Sequence, residues 1–310
     1  MSAHLLLGPQ RPKRTLGEAL ATSSIPEGSM ALITAGWQEA ENDFDEVREL
    51  LGRPLENLQL WTRAEEVFRE VPRLRQLYRE RQDQLMELQR LYRTRLKALS
   101  TSARRILRAQ GNPELVGPEQ RHAIAQIRAL DRHHLRRAET IQETFERTIR
   151  EAGGEALNRH VEEIAATLKR HRSLVIGGGN VLILQNRMRL FAVHRMMRQH
   201  ALVAWSAGAM VLADRVVLFH DNTPEGRRDA ELVGAGFGTM PGFVFFPDTD
   251  RRLRTGDVSR VGLLSRRFAP DLCVALNCGT VFEHDGQRVI RSSELHRLRN
   301  DGVFEELHAA

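Results

Sequence analysis

The sequence predicts an α/β fold, a mostly parallel sheet flanked by helices, interrupted by a long helical hairpin. Three observations carry this prediction. Strand-like and helix-like pieces alternate in the first sixty residues, alternation returns from Ser173 onward, and apolar residues recur at helical spacing between the two stretches.

The opening stretch reads "HLLLG", "TLGEALAT", "MALITAGW", "DFDEVRELLG" and "NLQLW", an order in which each apolar strand is followed by a helical piece. After Trp61 the texture changes. Leu74, Tyr78, Leu85, Leu88, Tyr92, Leu99 and Ile106 fall on a three-four rhythm that Arg81 and Arg95 interrupt. "GNPELVGPEQ" at 111–120 carries the Gly and Pro of a helix-helix connection, and Ile124, Ile127, Leu135, Ile141, Phe145 and Ile149 then resume the rhythm. A third helix is expected after the Gly153-Gly154 break. From Ser173 the pieces are "SLVIGGGN", a helix over 181–199, "ALVAWSAGA", "VVLFHD", "GFVFFPD" and "LCVALN", which read as the same sheet resuming. Neither flank has enough strands to close a sheet alone. The division is therefore residues 1–62 and 173–310 as two parts of one α/β domain, with 63–172 as a helical, coiled-coil-like insertion.

A chain of 310 residues with 41% hydrophobic content can bury a substantial core, which argues against a disordered protein. The net charge of +6 is unevenly spread: residues 62–172 carry +8 and the remainder −2. No acidic residue occurs over 88–113, where seven cations lie. A solvated face of a packed hairpin is the first reading of that run. Nucleic acid or another polyanion is the next, although aromatics for base stacking are few, and a partner protein or homodimer contact is the third. The two cysteines, Cys273 and Cys278, would point to opposite faces of one strand, which argues against a bond between them and for a cytoplasmic setting. No signal-peptide core and no run of eighteen apolar residues is present, so neither secretion nor membrane spanning is expected.

Two strand ends carry the candidate chemistry. "SLVIGGGN" ends in glycines that leave backbone N–H groups unobstructed, which suits either an anion or merely a tight strand-to-helix turn. In "AWSAG" a serine stands between strand and helix with Ala204 two before and Gly208 two after, the pattern of a nucleophile elbow, although small residues also occur wherever two elements pack closely.

Taken in order, "VIGGGN", "AWSAGAMVLADRVVLFHD", "PEGRRDAELVGAGFGTMPGFVFFPDTDRRL" and "RRFAPDLCVALNCGTVFEHDG" resemble the dipeptidase E and cyanophycinase group of serine peptidases, which have a class I glutamine amidotransferase-like fold. The resemblance implies Ser206 as nucleophile, with the N–H of Ala207 and of Gly178 or Gly179 as oxyanion donors beside Asn180. It implies Asp221 as the acid that orients a histidine; capping of the turn "DNTPEG" is the alternative role. Where the family has its catalytic histidine, however, this chain has Asp248. An unperturbed Asp titrates near pH 3.9 and a His near 6.5, so Asp248 is a weak base for a serine hydroxyl. Loss of the histidine from such a relay costs on the order of a millionfold in rate.

His220 is the candidate substitute base, facing away from Asp221 if both lie on a strand. His284 in "EHDG" and the pair His133-His134 read as surface residues. In "ALNCG", where relatives carry acidic residues, Asn277 and Cys278 suggest altered chemistry, with Cys278 read as a small buried residue rather than a reactive thiol. A metal among Asp221, Asp248 and Asp250 lacks His or Cys spacing, so neither metal nor cofactor is expected. The expected function is binding of a peptide or amide on a peptidase scaffold of lost or much weakened activity. The alternative is an active serine hydrolase of short peptides or amides with an atypical base.

Overall fold

The computed structural model describes residues 3–221 and 228–309. In chain order the strands are β1 (His4–Leu7), β2 (Met30–Ile33), β3 (Leu55–Asn57), β4 (Ser173–Ile176), β5 (Ala201–Trp205), β6 (Arg215–Leu218), β7 (Glu231–Ala235), β8 (Phe243–Pro247), β9 (Leu272–Leu276), β10 (Val281–His284), β11 (Val289–Ser293), β12 (His296–Leu298) and β13 (Phe304–Glu306). The helices are α1 (Leu16–Ala21), α2 (Asp45–Leu51), α3 (Leu60–Glu70), α4 (Pro72–Leu107), α5 (Pro113–Ala152), α6 (Gly154–Arg170), α7 (Val181–Leu190), α8 (Val193–Met196), α9 (Ala207–Leu212), α10 (Thr249–Arg252) and α11 (Val258–Phe268).

The central sheet has the order β11-β10-β1-β5-β4-β2-β3, with β1, β5, β4, β2 and β3 parallel and the β10-β11 hairpin antiparallel at one edge. Its strands are apolar on both faces because helices cover both. Leu6, Ala31, Ile33, Leu174, Ile176, Leu202 and Ala204 join the core under α3, α6, α7 and α9. Leu5, Leu7, Met30, Leu32, Val175 and Val203 pack on the other side against Leu16 and Leu20 of α1 and Val47 and Leu51 of α2.

The sheet resumes as expected at β4 and β5, but later strands form two further sheets. β8 and β9 pair in parallel in a separate sheet of order β13-β12-β9-β8, and β6 pairs only with β7. The reason lies in "CGTVFEH": Gly279, at a φ of 100°, turns the chain back so that β10 takes the open edge of β1. No described helix is long and apolar enough to cross a membrane.

Between β3 and β4 run α3 to α6. The link between the two long helices is shorter than the sequence suggested: α5 begins at Pro113, with the Asn112 side chain accepting from the Glu114 N–H, and Pro118 lies inside the helix. Arg81, expected to interrupt the apolar seam, is instead buried within it. Its guanidinium lies over the Tyr78 and Phe145 rings and donates to Gln142 Oε1 (2.7 Å) and Asn186 Oδ1 (2.9 Å), while burial lowers its pKa to about 10. A planar cation on an apolar stem can replace a leucine where rings supply the surface.

A second polar group holds the hairpin to the rest of the chain. The Tyr92 hydroxyl donates to Asp131 (2.8 Å), Arg267 of α11 donates to both Asp131 oxygens and to the Ala230 carbonyl, and the Leu232 N–H donates to the Tyr92 oxygen. His134, expected at the surface with His133, is buried and stacked on Tyr92 with ring centroids 4.1 Å apart, whereas His133 is exposed. His284 is likewise not in the polar turn but ends β10, buried opposite His4.

Burial lowers the pKa of both His134 and His4 to about 4. An unfolded chain protonates these rings near 6.5 and the folded chain only near 4, so stability is full above pH 6.5 and falls as pH drops towards 4. Each ring contributes a slope of up to about 1.4 kcal/mol per pH unit in that window. Urea unfolding between pH 7.5 and 4.5 should show this decline, and His134→Leu should make it shallower. A slope unchanged in His134→Leu would reject the account for that ring.

Candidate active site at the carboxyl edge of the central sheet

The register of the parallel strands brings their carboxyl ends level: Leu7 stands beside Trp205, Ala204 beside Ile176, and Ile176 beside Ile33. Whatever follows each strand therefore meets at one edge, the usual ligand-binding edge of such sheets. Here the chain continues as Gly8, Ser206, Gly177-Gly178-Gly179 and Thr34-Ala35-Gly36.

Ser206 joins β5 to α9 with φ 50° and ψ −115°, a conformation that costs a non-glycine residue about 1–3 kcal/mol. Two contacts hold it there. Its N–H donates to the Leu7 carbonyl (3.2 Å), and its carbonyl accepts from the Met210 N–H (3.1 Å). Glycines let the neighbouring chain close in. A Cβ on Gly178 would stand 3.2 Å from the Ser206 Cβ, and one on Gly208 would stand 2.2 Å from the Ile176 carbonyl oxygen. The backbone N–H groups of Ala207, Gly178 and Gly179 have no backbone acceptor among the described residues. Asn180 caps α7, its Oδ1 accepting from the Leu182 and Ile183 N–H groups. Ser206, Ala207, Gly178, Gly179 and Asn180 thus share one edge.

Sequence reasoning missed the third strand end. Gly179, at φ 105°, packs on Gly36, whose carbonyl accepts from the Asn180 N–H (2.8 Å). Trp37 lies beside it, and Gln38 takes φ 60° and ψ −123°, close to the conformation of Ser206. The signal was "TAGW", a glycine just past a buried strand. Asn277 was read only as a change of chemistry, yet it acts as a joint. Its Oδ1 accepts from the Thr249 hydroxyl (2.7 Å) and the Asp250 N–H (3.3 Å), and its carbonyl lies so close to Gly8 that a Cβ there would be 1.7 Å away.

The proposed proton acceptors have other partners. Asp248 follows β8 of the second sheet in a left-handed conformation (φ 61°), with its carboxylate 3.8 Å from the Arg252 Nε. Asp221 is buried, ion-paired with Arg260 and accepting from the Arg254 N–H (3.0 Å). The turn that it might instead cap runs on outside the described residues. β6 ends at Leu218, so His220 and Asp221 are not on a strand; His220 is exposed where Asp221 is buried. The Ser206 hydroxyl makes no hydrogen bond among the described residues. Other histidines stand at the far edge of the sheet, His4 and His284 in register and His171 and His200 just before β4 and β5. A cleft of about 1130 Å³ also opens at that far edge, lined by His171, Arg172, Arg198 and His200.

Cys278, expected to be buried, is half-buried past the end of β9, its Sγ accepting from the Lys13 N–H (3.2 Å); Cys273 is buried and both thiols are free. Among the described residues no three His, Cys, Asp or Glu side chains are grouped to hold a metal ion.

No model of a known protein family matches the chain, and no curated protein does. Among solved structures, a peptidase from an acI-B1 Actinobacterium is similar at 14% identity and a TM-score of 0.46, over 100% of this chain and 95% of that one. A protein named for peptidase E from Listeria monocytogenes EGD-e is similar at 10% identity and a TM-score of 0.46, over 94% and 98%.

Proposed function

We propose that this chain is a binding protein on a serine-peptidase scaffold of class I glutamine amidotransferase type, with hydrolytic activity lost or much weakened, and that its ligand is a peptide or amide held at Ser206. The observation that carries the reading is that both carboxylates are engaged by arginines. Ser206 stands in a strained turn against Gly178, whereas Asp221 is engaged by Arg260 and Asp248 lies beside Arg252. N–H groups of Ala207, Gly178 and Gly179 can hold a carbonyl oxygen without reorganising, which is enough for binding. Turnover needs more: a group must take the serine proton, and a carboxylate beside an arginine is poorly matched to that task.

A fluorophosphonate probe tests this, applied to the wild type, Ser206→Ala and Asp248→His. Absent or very slow labelling of the wild type, with labelling gained in Asp248→His, is the expected result. Prompt wild-type labelling that disappears in Ser206→Ala would instead establish the active hydrolase with an atypical base.

A further inference from the structure

The amino edge of the central sheet, opposite the edge that carries Ser206, opens into the cleft of about 1130 Å³. Segments remote in sequence wall it: α6, the link from α6 to β4, α8 with the turn after it, and β11. Two kinds of side chain meet there. Lys169, Arg172, Arg195 and Arg198 bring cations, and Ala165, Met196 and Ile290, each half-buried, bring apolar surface. Little offsets the charge. Glu146 engages Arg195 (2.8 Å), but Lys169, Arg172 and Arg198 are exposed and are in no ion pair among the described residues. The one carboxylate among the described residues of the lining is Asp285, and its Oδ1 already accepts from the Gln287 and Arg288 N–H groups (2.8 and 2.9 Å).

We propose that this cleft binds a small organic anion, one anionic head group on an apolar body, at a site separate from the Ser206 edge. Its volume is at the upper end of small-molecule sites, which run to about 1,000 Å³. Cations without carboxylates select negative charge, and the apolar wall favours a ligand that also covers it from water. A bare inorganic anion would satisfy the first and leave Ala165, Met196 and Ile290 wet. A bilayer fits less well, because none of the exposed large apolar side chains, Met86, Leu91, Leu115, Leu182, Val258 and Val303, belongs to the lining and nothing projects from it to enter lipid. The two edges are well apart. β5 runs from Ala201 in the cleft wall to Trp205 beside Ser206, and its five residues span about 16 Å.

The test is fluorescence titration of the full chain with 8-anilinonaphthalene-1-sulfonate, an apolar anion, followed by displacement with decanoate, decyl phosphate, 1-decanol and inorganic phosphate. The wild type should bind the dye, and decanoate or decyl phosphate should displace it, the stronger of the two naming the head group. 1-Decanol should compete about tenfold less well or worse, and inorganic phosphate should not compete. Lys169→Gln/Arg172→Gln/Arg198→Gln should weaken dye binding about tenfold or more, and Ala165→Asp, which sets a like charge in the wall, should do the same. A control set on the helical hairpin, Lys97→Gln/Arg105→Gln/Arg121→Gln, removes the same charge elsewhere and should change little. No dye binding by the wild type, equal weakening by the control set, displacement by 1-decanol as good as by decanoate and decyl phosphate, or displacement by inorganic phosphate would each overturn the proposal. Should the threefold variant fail to fold by circular dichroism, Arg172→Gln and Arg198→Gln are read singly by the same criteria.

Discussion

Asp221→Ala should destabilise the protein by about 3–5 kcal/mol, the usual cost of stripping one partner from a buried ion pair. Both side chains of the pair are nearly inaccessible, at 2% for Arg260 and 0% for Asp221. Asp221 also accepts from the Arg254 N–H, and its own N–H donates to the Arg252 carbonyl (2.7 Å), so it ties the segment after β6 to the chain around α10. Removal leaves the buried guanidinium without its nearest carboxylate, Asp229 standing farther off at 3.9 Å. The double variant Asp221→Ala/Arg260→Met, which deletes both charges and refills volume, should recover much of the loss. Urea midpoints of the two single variants and the double variant measure this coupling. If Asp221→Ala unfolds at the wild-type midpoint, the carboxylate is not structural, and its role as an orienting acid gains ground.

Gly208→Ala should cost about 3 kcal/mol and disrupt the turn that carries Ser206, since overpacking a core typically costs about 1–3 kcal/mol and rigid backbone yields less than side chains do. The added methyl would lie 2.2 Å from the Ile176 carbonyl oxygen and 3.0 Å from that of Gly177. Neither can retreat easily, because β4 is hydrogen-bonded to β5 on one side and β2 on the other. Gly256→Ala is the control: a Cβ there meets nothing within 4 Å, and the variant should unfold at or slightly above the wild-type midpoint. Equal midpoints for Gly208→Ala and wild type would mean that α9 does not press on the end of β4 as described.

The second of these concerns what holds Ser206 in place. The glycine answer was partly legible in the sequence. Small residues around a serine at a strand end, and a glycine run at another strand end, are local signals, and the structure brings those two segments together at the carboxyl edge. The contribution of Gly36 was not recognised, because a glycine after a strand is unremarkable until its carbonyl is seen to hold the Asn180 N–H. Asn277 escaped for a similar reason: its partners Gly8 and Thr249 are remote in sequence, and an amide has no period or spacing to betray a joint.

Polar residues were the ones most often misplaced. Arg81 read as a break in the apolar seam and His134 as a surface group, yet each is buried. Rings from other turns make room for them, Tyr78 and Phe145 for Arg81 and Tyr92 for His134, and periodicity cannot foresee a stacking partner on another helix. The sheet was misjudged through its last strands. "FVFFP" and "LCVAL" are apolar throughout and suit any buried position, so only the reversal at Gly279, which lets β10 occupy the edge of β1, decides that β8 and β9 form a sheet of their own.

By itself the sequence determined what depends on neighbours within a turn or two: the strands up to β5, the long helices between β3 and β4, and where strands end in small residues. Tertiary structure alone decided what depends on approach between distant segments. It decided that Asp221 answers to Arg260 and that Asp248 follows a strand of the second sheet. Charge pairing acts through space at a few ångströms, and no spacing along the chain encodes which two groups will come that close.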